Sequence, residues 1–188
     1  MTTTPTTPVI DPRRTWSLVE ERLAATTNER HRVVLSVVLE HMKAEAAADL
    51  DGLMATLSPE PDYHFWTGGK DFGPKTTEGV RTYYANFVAS NTNVLEYEME
   101  RLVVDDHCLV TEGLLKQIYP GAYAAAHGFP VDDESADYLI VNRQLLLWPV
   151  DAEGRIQGED SYSSGPVSIT KLTFDQLPQG YVELVHAH

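Results

Sequence analysis

The chain has a single cysteine, Cys108, so an intrachain disulfide is excluded. It lacks any apolar run near the roughly 18 residues that a membrane-spanning helix requires. The longest such run near the middle, residues 145–150, is only strand-sized. The first eight residues are mostly threonine and proline with no apolar segment, so no secretory leader is expected and a cytoplasmic location follows by elimination. Positive charge is scarce: 14 Lys+Arg stand against 28 Asp+Glu, a formal net charge of −14. That field repels phosphate backbones and anionic lipid, so neither nucleic acid nor a membrane is an expected partner.

Several chemical signatures are also missing. His41, His64, His107, His127, His186 and His188 are scattered without His-x-Glu or His-x-x-x-His spacing, and Cys108 stands alone, so no metal is expected. Gly68-Gly69 lacks the lysine-serine and helix start of a phosphate-binding loop, and no Gly-x-Ser-x-Gly elbow occurs. No organic cofactor is expected.

What remains is enough for one folded unit. With 188 residues and 43% hydrophobic content, the chain can bury a sizeable core. Residues 1–12, rich in threonine and proline, are expected to be a flexible tail before a single domain over 13–188. Ser17 with Glu20, and Thr26 with Glu29, have capping-box spacing before two helices, the second over about 28–48. In that helix Val34, Val37, Val38 and Met42 recur at three- and four-residue steps. A short helix over about 51–57, an aromatic strand over 61–66 and a helix from Thr77 to about Ser90 follow, the last with Val80, Tyr83, Tyr84 and Phe87 facing inward. Beyond it the period becomes two. Strands are expected over 94–104, 108–119, 137–150 and 155–163, with a last strand or helix near 167–172 and a long loop over 120–136. This segregation predicts an α+β fold: N-terminal helices packed on a strongly curved antiparallel sheet that forms a conical barrel with a ligand pocket.

Three stretches carry a family resemblance. They are residues 46–58, running from a helix end through a short helix into a turn; residues 78–87, following a glycine-rich loop; and residues 151–162, a turn into a late strand. In this order and spacing they resemble the nuclear-transport-factor-2-like superfamily, which includes ketosteroid isomerases, SnoaL-like polyketide cyclases, limonene epoxide hydrolase and scytalone dehydratase. The resemblance implies a cofactor-independent proton-transfer enzyme (isomerase, dehydratase, hydratase or cyclase) acting on a small hydrophobic substrate, with polycyclic and steroid-like compounds as candidates. It also implies a homodimer formed through the sheet. The known catalytic sets are not intact. The helix tyrosine of the isomerases matches His41, their aspartate base falls on Phe65 or His64, and their second acid falls near residues 144–146, where there is no carboxylate. Of the epoxide hydrolase's aspartate–arginine–aspartate set, the arginine falls on Gly113, the first aspartate on Leu115 and the last aspartate on Ser161.

The residues themselves offer these candidates. His41 shares a helix face with Val34, Val37 and Val38, so its imidazole is expected to point inward, either as an acid/base or as a core histidine satisfied by one hydrogen bond. Glu98 is its expected carboxylate partner, although the Glu96/Glu98/Glu100 row also fits a solvated strand face. Tyr63, His64 and Trp66 form an aromatic wall in which either Tyr63 or the His64/Trp66 pair faces the cavity, because successive strand residues alternate. Asn142 and Gln144 share a strand face with Trp148 and could orient a substrate carbonyl. Tyr84 and Tyr162 complete the expected substrate-binding set. The alternative is a non-catalytic small-molecule-binding or dimerisation module of the same fold.

Overall fold

The computed structural model describes residues 9–90 and 92–186. Met1–Pro8, the bulk of the expected tail, and His188 lie outside the described residues. The end of that stretch is packed: Ile10 is 1% exposed and the Asp11 amide donates to Glu96 Oε2 at 2.8 Å.

Helix α1 (Arg14–Ala25) starts earlier than the Ser17 signal, and Ser17 Oγ donates to the Arg14 carbonyl from inside the first turn. Helix α2 (Glu29–Ala46) is capped by Asn28, whose side chain accepts the His31 amide; it displaces Thr26 because it sits one residue before the helix. Asp49 caps the short α3 (Leu50–Ala55), and Thr76 caps α4 (Thr77–Ala89).

Six strands pack with these helices, the first two lying before α4 in the chain: β1 (His64–Thr67), β2 (Lys70–Asp71), β3 (Leu95–Val104), β4 (Cys108–Pro120), β5 (Asp137–Pro149) and β6 (Asp160–Lys171). Their order is β2-β1-β6-β5-β4-β3. The sheet is mixed rather than wholly antiparallel, since β1 runs parallel to β6, with His64 opposite Asp160. It is open, with β2 and β3 at its edges, rather than a closed barrel.

Two expectations for the second half need revision. The stretch over 120–136 contains helix α5 (Gly121–Ala126), which anchors Ala124 at 0% exposure against Tyr138 and Ile140. The two separate elements expected after residue 154 are one strand, β6, whereas Ile156 only bridges to Leu57 and Val150. Gly158 lets this connection pass close to β1: a Cβ there would lie 2.0 Å from the Asp62 carbonyl oxygen. The His64 amide then donates to the Glu159 carbonyl at 3.1 Å, which fixes where residue 159 stands.

The main core lies between α2 and one face of the sheet. Val34, Leu35, Val38 and Met42 meet Tyr97, Leu109, Leu146 and Trp148 there. Burial of side chains of this size contributes about 1.5–3 kcal/mol each. A smaller cluster on the opposite face joins Ile10, Ile118, Leu172 and Tyr181 of the C-terminal helix α6 (Gln179–Val185). Among the described residues no helix is long and apolar enough to cross a membrane.

Candidate functional site

Period-two alternation aims one face of each long strand at the helices, and the two layers do not fill the space between them. The result is a cavity of about 750 Å³. Phe65 and Thr67 line it from β1, Tyr97 from β3, Gln117 and Tyr119 from β4, and Ser161 and Ser163 from β6. From β5 come Asn142, Gln144, Leu146 and Trp148, the face expected from the sequence. Among the described residues the side-chain amides of Asn142 and Gln144 have no protein partner, so both are free to bond a ligand.

The aromatic wall of β1 has one register. Phe65 and Thr67 face the cavity, so His64 and Trp66 face away from it. His64 Nδ1 is 2.7 Å from Asp71 Oδ2, and Trp66 stacks on Tyr162, which is 46% exposed. His64, Trp66 and Tyr162 therefore belong to the outer face of the sheet. Strand alternation also separates Tyr162 from its neighbours Ser161 and Ser163 in the cavity wall.

The expected pairing of His41 with Glu98 does not form. Glu98 alternates with Leu95 and Tyr97, which line the cavity, and so faces outward. Its carboxylate lies 2.5 Å from Lys116 Nζ and 3.6 Å from Arg14, a pairing that holds its pKa below the ordinary range. Glu96 sits beside it, 2% exposed, between Lys116 and Arg14.

His41 does point inward, at 0% exposure, but it stands one layer behind the cavity wall. Its Nδ1 is 2.8 Å from Thr56 Oγ1 and its Nε2 is 3.0 Å from the Tyr84 hydroxyl. Burial among apolar neighbours, without a carboxylate in contact, lowers its pKa to about 3. The ring is therefore neutral. Thr56 Oγ1 donates to the Leu53 carbonyl at 2.6 Å, so it accepts from His41 Nδ1–H, and Nε2 accepts from Tyr84. Tyr63, also at 0% exposure, completes this layer with its hydroxyl 3.2 Å from that of Tyr84.

This layer leads to two residues that the sequence reading did not single out. Tyr84 is 3.4 Å from Glu159 Oε2, and Glu159 lines the cavity together with Glu45 of α2. Both carboxylates are half-buried against apolar neighbours. Desolvation pushes Glu45 up to about 7, and desolvation with the charge of Glu45 pushes Glu159 up to about 8. The hydrogen-bond inventory accommodates the same state of Glu159. Tyr84 has one hydroxyl hydrogen, and when His41 Nε2 takes it, the contact with Glu159 is satisfied only by a proton on the carboxyl group. A signal for Glu45 existed in the sequence, since it lies four residues after His41 and three after Met42 on one helix face. For Glu159 there was none: it lies inside the strand expected over 155–163, whereas β6 starts only at Asp160 and the residue precedes it.

No carboxylate, thiol or imidazole group among the described residues forms a cluster of three that could hold a metal ion.

No protein-family model matches the sequence, and no curated protein matches it. Solved structures do match the fold. A protein assigned to the SnoaL-like polyketide cyclases, from Shewanella putrefaciens CN-32, superposes with a TM-score of 0.59 at 9% identity, over 84% of this chain and 91% of its own. Another so assigned, from Jannaschia sp. CCS1, gives 0.56 at 13% identity, over 74% and 90%. The epoxide hydrolase/cyclase-like enzyme SalBIII, with a role in pyran-ring formation in the polyether salinomycin, gives 0.51 at 14% identity, over 73% and 94%. The chain therefore has the nuclear-transport-factor-2-like, SnoaL-like α+β fold. That fold hosts many chemistries, so the reaction must be argued from the site.

Proposed function

We propose that the protein is an acid/base enzyme of the cyclase, isomerase or dehydratase type, acting on a small and largely apolar substrate in the cavity. Glu45 and Glu159 are its proton-transfer pair. The observation that carries this reading is the placement of two half-buried carboxylates on the wall of one aromatic cavity, with Glu159 backed by the Tyr84–His41–Thr56 hydrogen bonds. Two carboxylates with elevated pKa values exchange protons near neutral pH, where one can donate while the other accepts. Asn142 and Gln144, free across the cavity, supply donors for a substrate oxygen on which charge develops. His41 acts through Tyr84 as a positioning residue.

Proton transfer can be read without knowing the natural substrate. A panel of apolar ketones, enones and epoxides, some bearing amines, is incubated with the protein in D₂O and scored by mass for deuterium uptake or ring opening. The expected result is turnover by the native chain and a loss of about 100-fold or more in Glu159→Gln. Turnover unchanged in both Glu45→Gln and Glu159→Gln would remove the pair from the mechanism.

A second reading, a binding module without chemistry, draws support from the saturation of the inward histidine by Thr56 and Tyr84. In either case we propose a homodimer through the outer face of the sheet, where Trp66 and Tyr162 are exposed at 36% and 46%.

A further inference from the structure

We propose that the ligand of the cavity is a lipophilic cation, an amine or quaternary ammonium compound, seated between Glu45 and Glu159 against aromatic faces. The proposal rests on the reading of the cavity as a small-molecule site and names the class of molecule that enters it.

The charge inventory of the wall carries the argument. Its acidic members are two, Glu45 and Glu159, and no lysine, arginine or histidine among the described residues lines the cavity. Arg14 and Lys116 point to the outer face, where Glu96 and Glu98 hold them. Neither acid therefore has a counterion inside. An anionic ligand would meet two acids, whose ionisation it would oppose, and no positive partner. A neutral ligand would leave the acids as they are. A cation completes the site.

The rest of the wall suits the same chemistry. Phe65, Tyr83, Phe87, Tyr119, Tyr123 and Trp148 line the cavity. Ring faces attract an ammonium group most when water is excluded. The rings are also held in place: Tyr83 lies 5.1 Å from Phe65 and stacks on Phe87, and Tyr119 stacks on Tyr123. The formal net charge of −14 steers cations toward the molecule from a distance. Burial, and for Glu159 the neighbouring Glu45, makes both acids hold protons above their ordinary range, so a cation that enters and favours the ionised form should expel protons. On the same wall Tyr83, Tyr97 and Tyr119 are pushed upward by burial and stay neutral, so they do not supply protons released at neutral pH.

Isothermal titration calorimetry on the full chain tests this with three probes. Benzyltriethylammonium is a permanent cation with no proton of its own, dibenzyl ether is neutral, and 4-phenylbutyrate is anionic. Titrations at pH 6.5 in two buffers of different ionisation enthalpy count the protons exchanged. The expected result is binding of the cation at least about 10-fold tighter than the ether, no binding of the anion, and net proton release with the cation alone. Glu159→Gln and Glu45→Gln should each weaken the cation by about 10-fold or more and reduce the proton release, while leaving the ether unchanged. Binding of the ether as tightly as the cation, or cation binding without proton release, would overturn the proposal and leave the small-molecule site standing. Failure of all three probes to bind would count against the small-molecule site itself. Turnover in the D₂O assay is a separate readout, so a cation-binding cavity without chemistry would be recognised as such.

Discussion

The hydroxyl of Tyr84 stands 3.0 Å from His41 Nε2 and 3.4 Å from Glu159 Oε2, and it has a single hydrogen to give. The protonation of Glu159 and the tautomer of His41 are linked by this one atom. With Glu159 protonated, Tyr84 donates to Nε2 and the imidazole carries its hydrogen on Nδ1, toward Thr56. With Glu159 ionised, Tyr84 turns its hydrogen to the carboxylate. The imidazole then carries its hydrogen on Nε2, and Nδ1 accepts from Thr56, whose hydroxyl hydrogen turns away from the Leu53 carbonyl.

Nitrogen-15 NMR of histidine-labelled protein should report that exchange. His41 is expected to remain neutral above about pH 4, with its hydrogen on Nδ1 at pH 6 and a rising share on Nε2 as pH passes about 8. Glu159→Gln should abolish the change. A His41 ring that becomes imidazolium near pH 6.5 would contradict the arrangement.

Stability should depend on pH in two directions. Glu45 and Glu159 have folded-state pKa values raised above the ordinary 4.5, to about 7 and about 8, so the folded chain binds more protons than the unfolded one across that window. Their contribution is present below about pH 4.5 and is lost as pH rises through about 8. His41 has the opposite sign: lowered from 6.5 to about 3, it costs stability as pH falls through that interval. Chemical denaturation at pH 6 and pH 9 should show the native chain losing on the order of 2 kcal/mol more than Glu159→Gln, a figure discounted for the water that the cavity admits. Equal losses in the two proteins would mean that Glu159 is already ionised at pH 6.

Removing the histidine is expected to be mainly a structural injury. His41→Ala leaves Tyr84 and Thr56 each short of a partner and opens a void beside Trp148, whose ring centroid is 5.4 Å away. Denaturant melts should show a loss of about 2–4 kcal/mol. A variant as stable as the native chain would mean that the ring is not packed as described.

The outer face of the sheet gives a separate test. Trp66→Ser with Tyr162→Ser should shift the species seen by light scattering from a dimer toward a single 21.0 kDa chain, with the cavity unaltered. A native protein that is monomeric at micromolar concentration would remove the dimer proposal and leave the site unchanged.

The sequence made parts of this legible for identifiable reasons. The α2 stripe of valines gave the helix and the inward direction of His41, and strand alternation put Asn142, Gln144 and Trp148 on one face, all of which line the cavity. Other features lay beyond local pattern. Whether β1 turns Phe65 or His64 inward depends on its parallel pairing with Asp160, which lies about a hundred residues away in the chain. The Glu96/Glu98/Glu100 alternation fits a pocket wall and a charged outer face equally well; Arg14 and Lys116 decide for the outer face. Glu159 follows Gly158 in a connection with no periodicity, so no window of sequence marks it as part of the site.

The central claim is that two glutamates hold protons in the cavity of the native protein at neutral pH. Carbon-13 NMR of carboxyl-labelled glutamate, assigned with Glu45→Gln and Glu159→Gln and followed from pH 3 to pH 10, measures that directly. Two resonances titrating near 7 and 8, each lost in its own variant, are the expected result. If every glutamate titrated near the ordinary 4.5, the cavity would contain two solvated carboxylates and the proposed chemistry would have no proton source.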